Sequence, residues 1–412
     1  MKKIMTVTAL LLFGMWNSLL SQCPVGNINL FTQNDIHNFA TNFPNCTELE
    51  GNLLIGKSGY PSDINDLSGL DALTHIGGSL TLTSNPQLTN LNGLQNLNSI
   101  RENLSITGCP ALVSLEGLSQ LEEVSGSFSL SYLDNLKSLQ GLENLETIGS
   151  DFTLYLVPML ADFTGLNSLR TISGSLILEH NNGLITLEGI ENLEGIGIDL
   201  VLRGNASLTS LVGLEGLISI GGDLRIGAEY ADGMIGNSSL ANLDGLAQLG
   251  SIGGDLHLIA GDALTSLEGM AGLYFIGGNL IIRHNPLLSV CAIEPICEYL
   301  AEGGSASIDD NAGDCEDLDK VLGACQLTSV SDISDTESFT LQPNPASGSV
   351  NIHFGNPNAN IEWVRIYSMT GGEVSKAALG SGQIDLRGIP AGLYIVRVRM
   401  DGKDLVRRLS VQ

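Results

Sequence analysis

Residues 78–101 read GSLTLTSNPQLTNLNGLQNLNSIR. The apolar residues of this stretch are Leu80, Leu82, Leu88, Leu91, Leu94, Leu97 and Ile100. The first pair alternates, as a short strand does. The later ones step by three, which leaves one face of an α-helix within two turns and suits turns, short extended pieces or 3₁₀ segments. The pattern recurs. Its first apolar residue falls at Leu53, Leu80, Leu104, Phe128, Phe152, Leu176, Leu200, Leu224, Leu256 and Leu280, and seven of the nine steps are 24 residues. A glycine column (Gly69, Gly93, Gly117, Gly141, Gly165, Gly189, Gly213, Gly245, Gly269) keeps the same register and supplies unusual backbone angles at the corners. One such unit cannot bury its apolar face alone. Stacking closes the open faces and pairs the strands, so the array is expected to fold as a solenoid of about ten coils over 53–290.

Composition narrows the function classes. The chain has 412 residues and a formal net charge of -27, with 18 Lys plus Arg against 45 Asp plus Glu. Such a balance excludes nucleic-acid binding through a basic face, while 43% hydrophobic content excludes an acidic disordered chain. Residues 1–21 read as a secretory signal peptide: Lys2 and Lys3 precede an apolar run from Ile4 to Phe13. No later run is long and apolar enough for a transmembrane helix, so the mature chain is expected to carry none. In an exported chain, Cys23, Cys46, Cys291, Cys297, Cys315 and Cys325 are expected to form disulfides at the two ends of the repeat, with pairing open among the last four. The spacings of those four fit no zinc pattern.

The consensus G-x-L-x-[LI]-x-x-N-x-x-L-x-x-L-x-G-L-x-x-L resembles the leucine-rich-repeat relatives called receptor L domains. Cys23, Asn38-Phe39-Ala40 and Pro44-Asn45-Cys46-Thr47 resemble their N-terminal cap (22–52), and the last four cysteines their closing cap (291–326). The resemblance implies a mainly β protein built on a right-handed parallel β-helix or leucine-rich-repeat-like solenoid. It also implies that Cys109, which lies in register with Asn85, Asn181, Asn205 and Asn285, is a buried free thiol in the inward Asn/Cys column.

After a polar linker (327–338) the chain alternates like strands. From Ser338 on, 8 basic residues face 5 acidic ones; the resulting +3 leaves -30 for the rest. Residues 339–412 resemble the type A C-terminal sorting domain of the type IX secretion system. The resemblance rests on Pro343-Asn344-Pro345-Ala346, Val364-Arg365-Ile366-Tyr367, Gly371-Gly372, Ile384-Asp385-Leu386 and Ala391-Gly392-Leu393-Tyr394, with a last strand ending at Gln412. It implies a small Ig-like β-sandwich recognised by the type IX translocon, with Pro343, Asn344, Pro345, Gly372, Gly392 and Tyr394 in the sorting signal. The product would be secreted and associated with the outer membrane or cell surface of a Gram-negative bacterium.

No catalytic constellation emerges. Gly51 to Ser58 matches GxxxxGKS, but Leu53 to Ile55 is the first solenoid strand and Gly59-Tyr60-Pro61 blocks the helix that phosphate binding needs. The acidic run Asp309, Asp310, Asp314, Glu316, Asp317 and Asp319 lacks EF-hand order and reads as a solvated cap loop. No cofactor and no metal is expected. The candidate ligand-binding residues come from the outward strand columns, which hold Tyr155, Glu179, Arg203, Arg225, His257 and Arg283, with His180 and His284 at strand ends. An eight-residue insertion around Tyr230 and Met234 is the other candidate. The expectation is a non-enzymatic adhesion or recognition protein for an extracellular glycan or protein; a β-helical polysaccharide-degrading enzyme and a structural surface-layer spacer are the rivals.

Overall fold

The computed structural model describes residues 23–328 and 339–411, except 345, 355–359, 369–372, 377–381 and 401–402. The expected signal peptide, nearly all of the linker, Pro345 and Gly372 lie outside the described residues.

Each 24-residue unit forms one turn of a parallel β-solenoid. The two-step alternation at its start becomes a short strand, as at Leu80–Thr83 and Leu104–Thr107, and in-register partners lie 24 apart, Leu80 on Leu104 and Leu82 on Ile106. These strands build a 12-stranded parallel sheet; two-residue strands such as Ser99–Ile100 build a second, ten-stranded one. The apolar residues spaced by three occupy the bends between them. Some bends close as 3₁₀ turns, at Ser68–Leu70, Glu116–Leu118 and Glu268–Met270. Leu80, Leu82, Leu88, Leu91, Leu94, Leu97 and Ile100 are all fully buried in one continuous core. Where Phe replaces Leu, the rings stack between coils: the Phe128 and Phe152 centroids are 5.1 Å apart.

The glycine column is fixed by contact as well as by angle. At Gly213, φ is 110° and an added Cβ would lie 1.9 Å from the Leu187 carbonyl oxygen of the previous coil. No side chain fits there without parting the stack.

Two ladders of polar side chains run along the sheet, one at each end of its strands. At the exit end, the Asn205 amide donates to the Leu178 carbonyl (2.8 Å) while its Oδ1 accepts the Asn181 amide N–H (3.0 Å). Asn85, Asn181, Asn237, Asn285 and Asn311 likewise bridge back to an earlier strand's carbonyl, and Cys109 fills one place as a buried free thiol. Burial pushes that thiol's pKa up, which makes it a poor nucleophile. At the entry end, a mixed column of Asn, Ser and Asp side chains accepts the backbone N–H of the next coil. The Asn52 carbonyl oxygen takes Ser79 N–H (2.7 Å), Asp199 takes Asp223 N–H (2.8 Å) and Asp223 takes Asp255 N–H (2.7 Å).

The sheet extends past the regular repeat on both sides. Ile28–Leu30 pairs with Leu53–Ile55, the segment that matched the phosphate-loop string, and Ala306–Asn311 pairs with Leu280–Asn285. Asp309 and Asp310 therefore sit on a strand, which corrects the expectation of a cap loop for that part of the acidic run: the parallel register offered by the preceding strand orders it. Helix Gln33–Asn42 covers one end, with Thr32 and Asp35 forming a capping box and Ile36 and Phe39 buried. Helices Glu294–Ala301 and Leu318–Thr328 close the other. The disulfides lie in these caps: Cys23–Cys46, Cys291–Cys315 and Cys297–Cys325.

Residues 339–411 form a separate antiparallel unit of a three-stranded and a four-stranded sheet. Both contribute to one core, with Phe339, Val350 and Ile384 from the first and Ile366, Val396 and Val398 from the second. The Asn344 Oδ1 accepts the Ser410 amide N–H (2.8 Å), and the Tyr394 hydroxyl donates to the Pro390 carbonyl (2.9 Å). Of the expected sorting signal, Asn344 thus ties the two ends of the unit together, while Tyr394 braces the turn before its own strand. Gly392 begins the strand that carries Tyr394.

Two stability measurements follow from this packing. Asn205→Ala strands a buried donor and a buried acceptor and is expected to cost about 2–5 kcal/mol in urea unfolding. Gly213→Ala is expected to cost about 2 kcal/mol or more beyond Gly303→Ala, because Gly303 also has positive φ but has no atom within 4 Å of an added Cβ.

Candidate binding face

The outward side of the 12-stranded sheet changes character along the axis. Early coils present small hydroxyl residues, Thr81, Ser105, Ser129 and Thr153, and later ones present Ile177, Val201, Arg225, His257 and Ile281 in the same column. The residues expected to bind ligand fall into three groups along this face rather than one.

The first group is aromatic. Tyr155 ends its strand and meets Tyr132 from the coil before (centroids 5.4 Å) and His180 from the coil after (5.9 Å), both edge to face. A hydrogen bond with Tyr132 raises the Tyr155 pKa. Tyr132 is 51% exposed and was not visible as a candidate, because it occupies the corner after the strand (φ 55°) rather than an outward strand position. His180 occupies the equivalent corner one coil after the next, at φ 58°. Beside this group Glu179 and Arg203 form an ion pair at 3.1 Å.

The second group neutralises the entry-end ladder. Asp199, Asp223 and Asp255 are stacked on successive coils, and like charges that close repel. Arg225 pairs with Asp199 (3.6 Å) and Asp223, and His257 Nε2 lies 3.3 Å from Asp255. The Asn279 backbone N–H first, and then His257, hold the Asp255 carboxyl below its ordinary pKa. Arg225 and His257 are thus committed to the protein's own carboxylates. The buried Nε atoms of Arg203 and Arg225 have no hydrogen-bond partner among the described residues.

The third group gathers at the C-terminal end. The insertion folds into an antiparallel hairpin, Ala228–Tyr230 with Gly233–Ile235, that leans over the same sheet edge. Gly204 leaves room there: an added Cβ would lie 2.7 Å from His180 Nδ1 and 3.2 Å from a methyl of Ile235. Glu229 of the hairpin reaches Arg283 and His284 (both 3.8 Å), while Tyr230 and Met234 are exposed at 46% and 53%. Arg283 also pairs with Asp309 at 2.9 Å.

The face therefore offers exposed aromatic rings beside half-exposed ion pairs, over several coils. Rings of this kind take up the apolar face of a sugar or an apolar side chain, and the ion pairs can exchange partners at small cost, since exposed pairs are worth about 0–1 kcal/mol.

Comparison with known families agrees with both parts of this architecture. Residues 45–113 match the Receptor L domain family, and residues 340–412 match the Secretion system C-terminal sorting domain family of type IX export. No curated protein matches the chain at a significant level. The sorting domain supports secretion with attachment at the cell surface, and among the described residues no helix is long and apolar enough to cross a membrane.

The depressed Asp255 pKa carries a sign. A carboxyl ionised more readily in the folded state adds stability at pH above its ordinary value of 3.8, and this is lost as pH falls through the folded value. Asp255→Asn is expected to lower the urea midpoint at pH 7, and the difference from wild type should close as pH falls below 3.8.

Proposed function

We propose that this receptor L domain solenoid with a type IX sorting tail is a non-enzymatic recognition protein, displayed at the cell surface and binding an extracellular glycan or protein along its 12-stranded sheet. The observation that carries this reading is the run of aromatic contacts Tyr132, Tyr155 and His180 on successive coils, with the Glu179–Arg203 pair beside it. Consecutive coils repeat at the strand spacing of about 4.8 Å, so an extended ligand meets a series of similar contacts. The net charge of -27 favours neutral or cationic partners over anionic ones, with weakening by salt. The tail serves as the export address and takes no part in ligand binding.

Probing an array of glycans and matrix proteins with the mature chain, at low and moderate salt, tests the reading. A specific hit weakened at least about tenfold by Tyr155→Ala or Arg203→Ala is expected. A blank array would favour a surface spacer, and falling viscosity of a polysaccharide solution would favour a degrading enzyme. Deleting 340–412 is expected to remove the protein from the cell surface, as read by antibody labelling of intact cells.

A further inference from the structure

His284 and Asp310 occupy the same corner of successive coils, both with φ of 56°. The corner swings their side chains to one side, and His284 Nδ1 lies 3.1 Å from Asp310 Oδ2. Asp309, one residue earlier on the last strand, joins them: one ligand atom from each of His284, Asp309 and Asp310 lies within 4.8 Å of the others. In the sequence these belong to unrelated features, a strand-end histidine and an acidic cap run. The pairing of Ala306–Asn311 with Leu280–Asn285 is what brings them together.

We propose that these three side chains form a binding site for a divalent transition metal ion of the zinc class, with Glu229 as its outer support. The imidazole is the first argument. One nitrogen and two carboxylate oxygens suit zinc or its neighbours, whereas calcium and magnesium call for oxygen ligands alone. The second argument is independent of the cluster and comes from the hairpin. A metal-bound histidine usually donates its other ring N–H to a carboxylate, which fixes the ring and raises its basicity. Here Nδ1 faces the cluster, and Nε2 faces Glu229 at 3.8 Å. The insertion thus supplies the carboxylate on the required side of the ring.

Charge and access agree with this assignment. Asp309, Asp310 and Glu229 against Arg283 leave two negative charges beside His284, which one divalent ion balances. Both polar contacts of Asp309, from Arg283 Nε (2.9 Å) and the Ser307 hydroxyl (3.5 Å), fall on Oδ2, so Oδ1 is left to bind. The Asp310 side chain is 69% exposed and free to turn toward a bond of about 2 Å. Three protein ligands leave a fourth position for water or for an oxygen of a bound molecule. The site goes beyond the recognition reading and stands without it.

Calorimetric titration of the untagged, chelator-treated mature chain with Zn²⁺, and separately with Ca²⁺, tests the proposal. One Zn²⁺ per chain is expected, with Ca²⁺ at least about 100-fold weaker. His284→Asn and Asp310→Asn keep residues that tolerate the left-handed corner. Each should weaken Zn²⁺ at least about tenfold, and Glu229→Gln should weaken it about 10–100-fold, while His257→Gln should leave it unchanged. Absence of Zn²⁺ binding to the wild type, or binding that survives both His284→Asn and Asp310→Asn, overturns the site. Should His284→Asn fail to fold, the exposed Asp310 variant and the visible spectrum of the Co²⁺-loaded wild type decide, a six-coordinate all-oxygen spectrum counting against it.

Discussion

Everything in the solenoid depends on satisfying the backbone where the chain leaves a strand and turns. Inside a coil the strands pair with their neighbours, but at each corner the peptide groups point along no partner strand and are cut off from water. An unpaired buried amide or carbonyl costs about 1–3 kcal/mol, and the penalty would recur in every coil. Asn205 shows the solution: one side-chain amide serves the carbonyl of a strand behind it and the N–H of the corner beside it. The entry-end column does the same for the other end of the strand with whatever acceptor is present, asparagine, serine or aspartate. Once these groups are paired, the leucines between them can be buried without penalty.

That constraint explains what could be read in advance. The leucine columns were legible because a fully buried position tolerates only apolar residues of similar volume, so Leu88, Leu91, Leu94 and Leu97 repeat almost letter for letter. The glycine column was legible because Leu187 O and its equivalents leave no room for a Cβ. The entry-end ladder was not, since its members share a hydrogen-bonding role and no letter. The chemistry of the face was harder still. Tyr132 lies at a corner, outside the alternation that assigns strand residues to a face. The meeting of His284 with Asp309 and Asp310 depends on a last strand whose sequence, ASIDDN, has alanine in place of the repeat's first leucine and reads as loop.

The cations of the face illustrate how one column serves two ends. Placing Asp199, Asp223 and Asp255 on successive coils secures the ladder but stacks negative charge, and Arg225 and His257 relieve it. An outward arginine in a strongly acidic chain is therefore first a counter-ion to its own fold. The Tyr132 and Tyr155 rings, which neutralise no charge of the fold, are the parts of the face with no structural duty of that kind.

The disulfides give the molecule a mechanical character. A stack of nearly independent coils under tension peels from its ends, and each coil set free would pay out about 80 Å of chain. Cys297–Cys325 and Cys291–Cys315 shunt the pull across the terminal cap, and Cys23–Cys46 does so at the opposite end. A tug on the tail therefore reaches the body as a load on covalent bonds, and the closing strand Ala306–Asn311 is spared from unspooling.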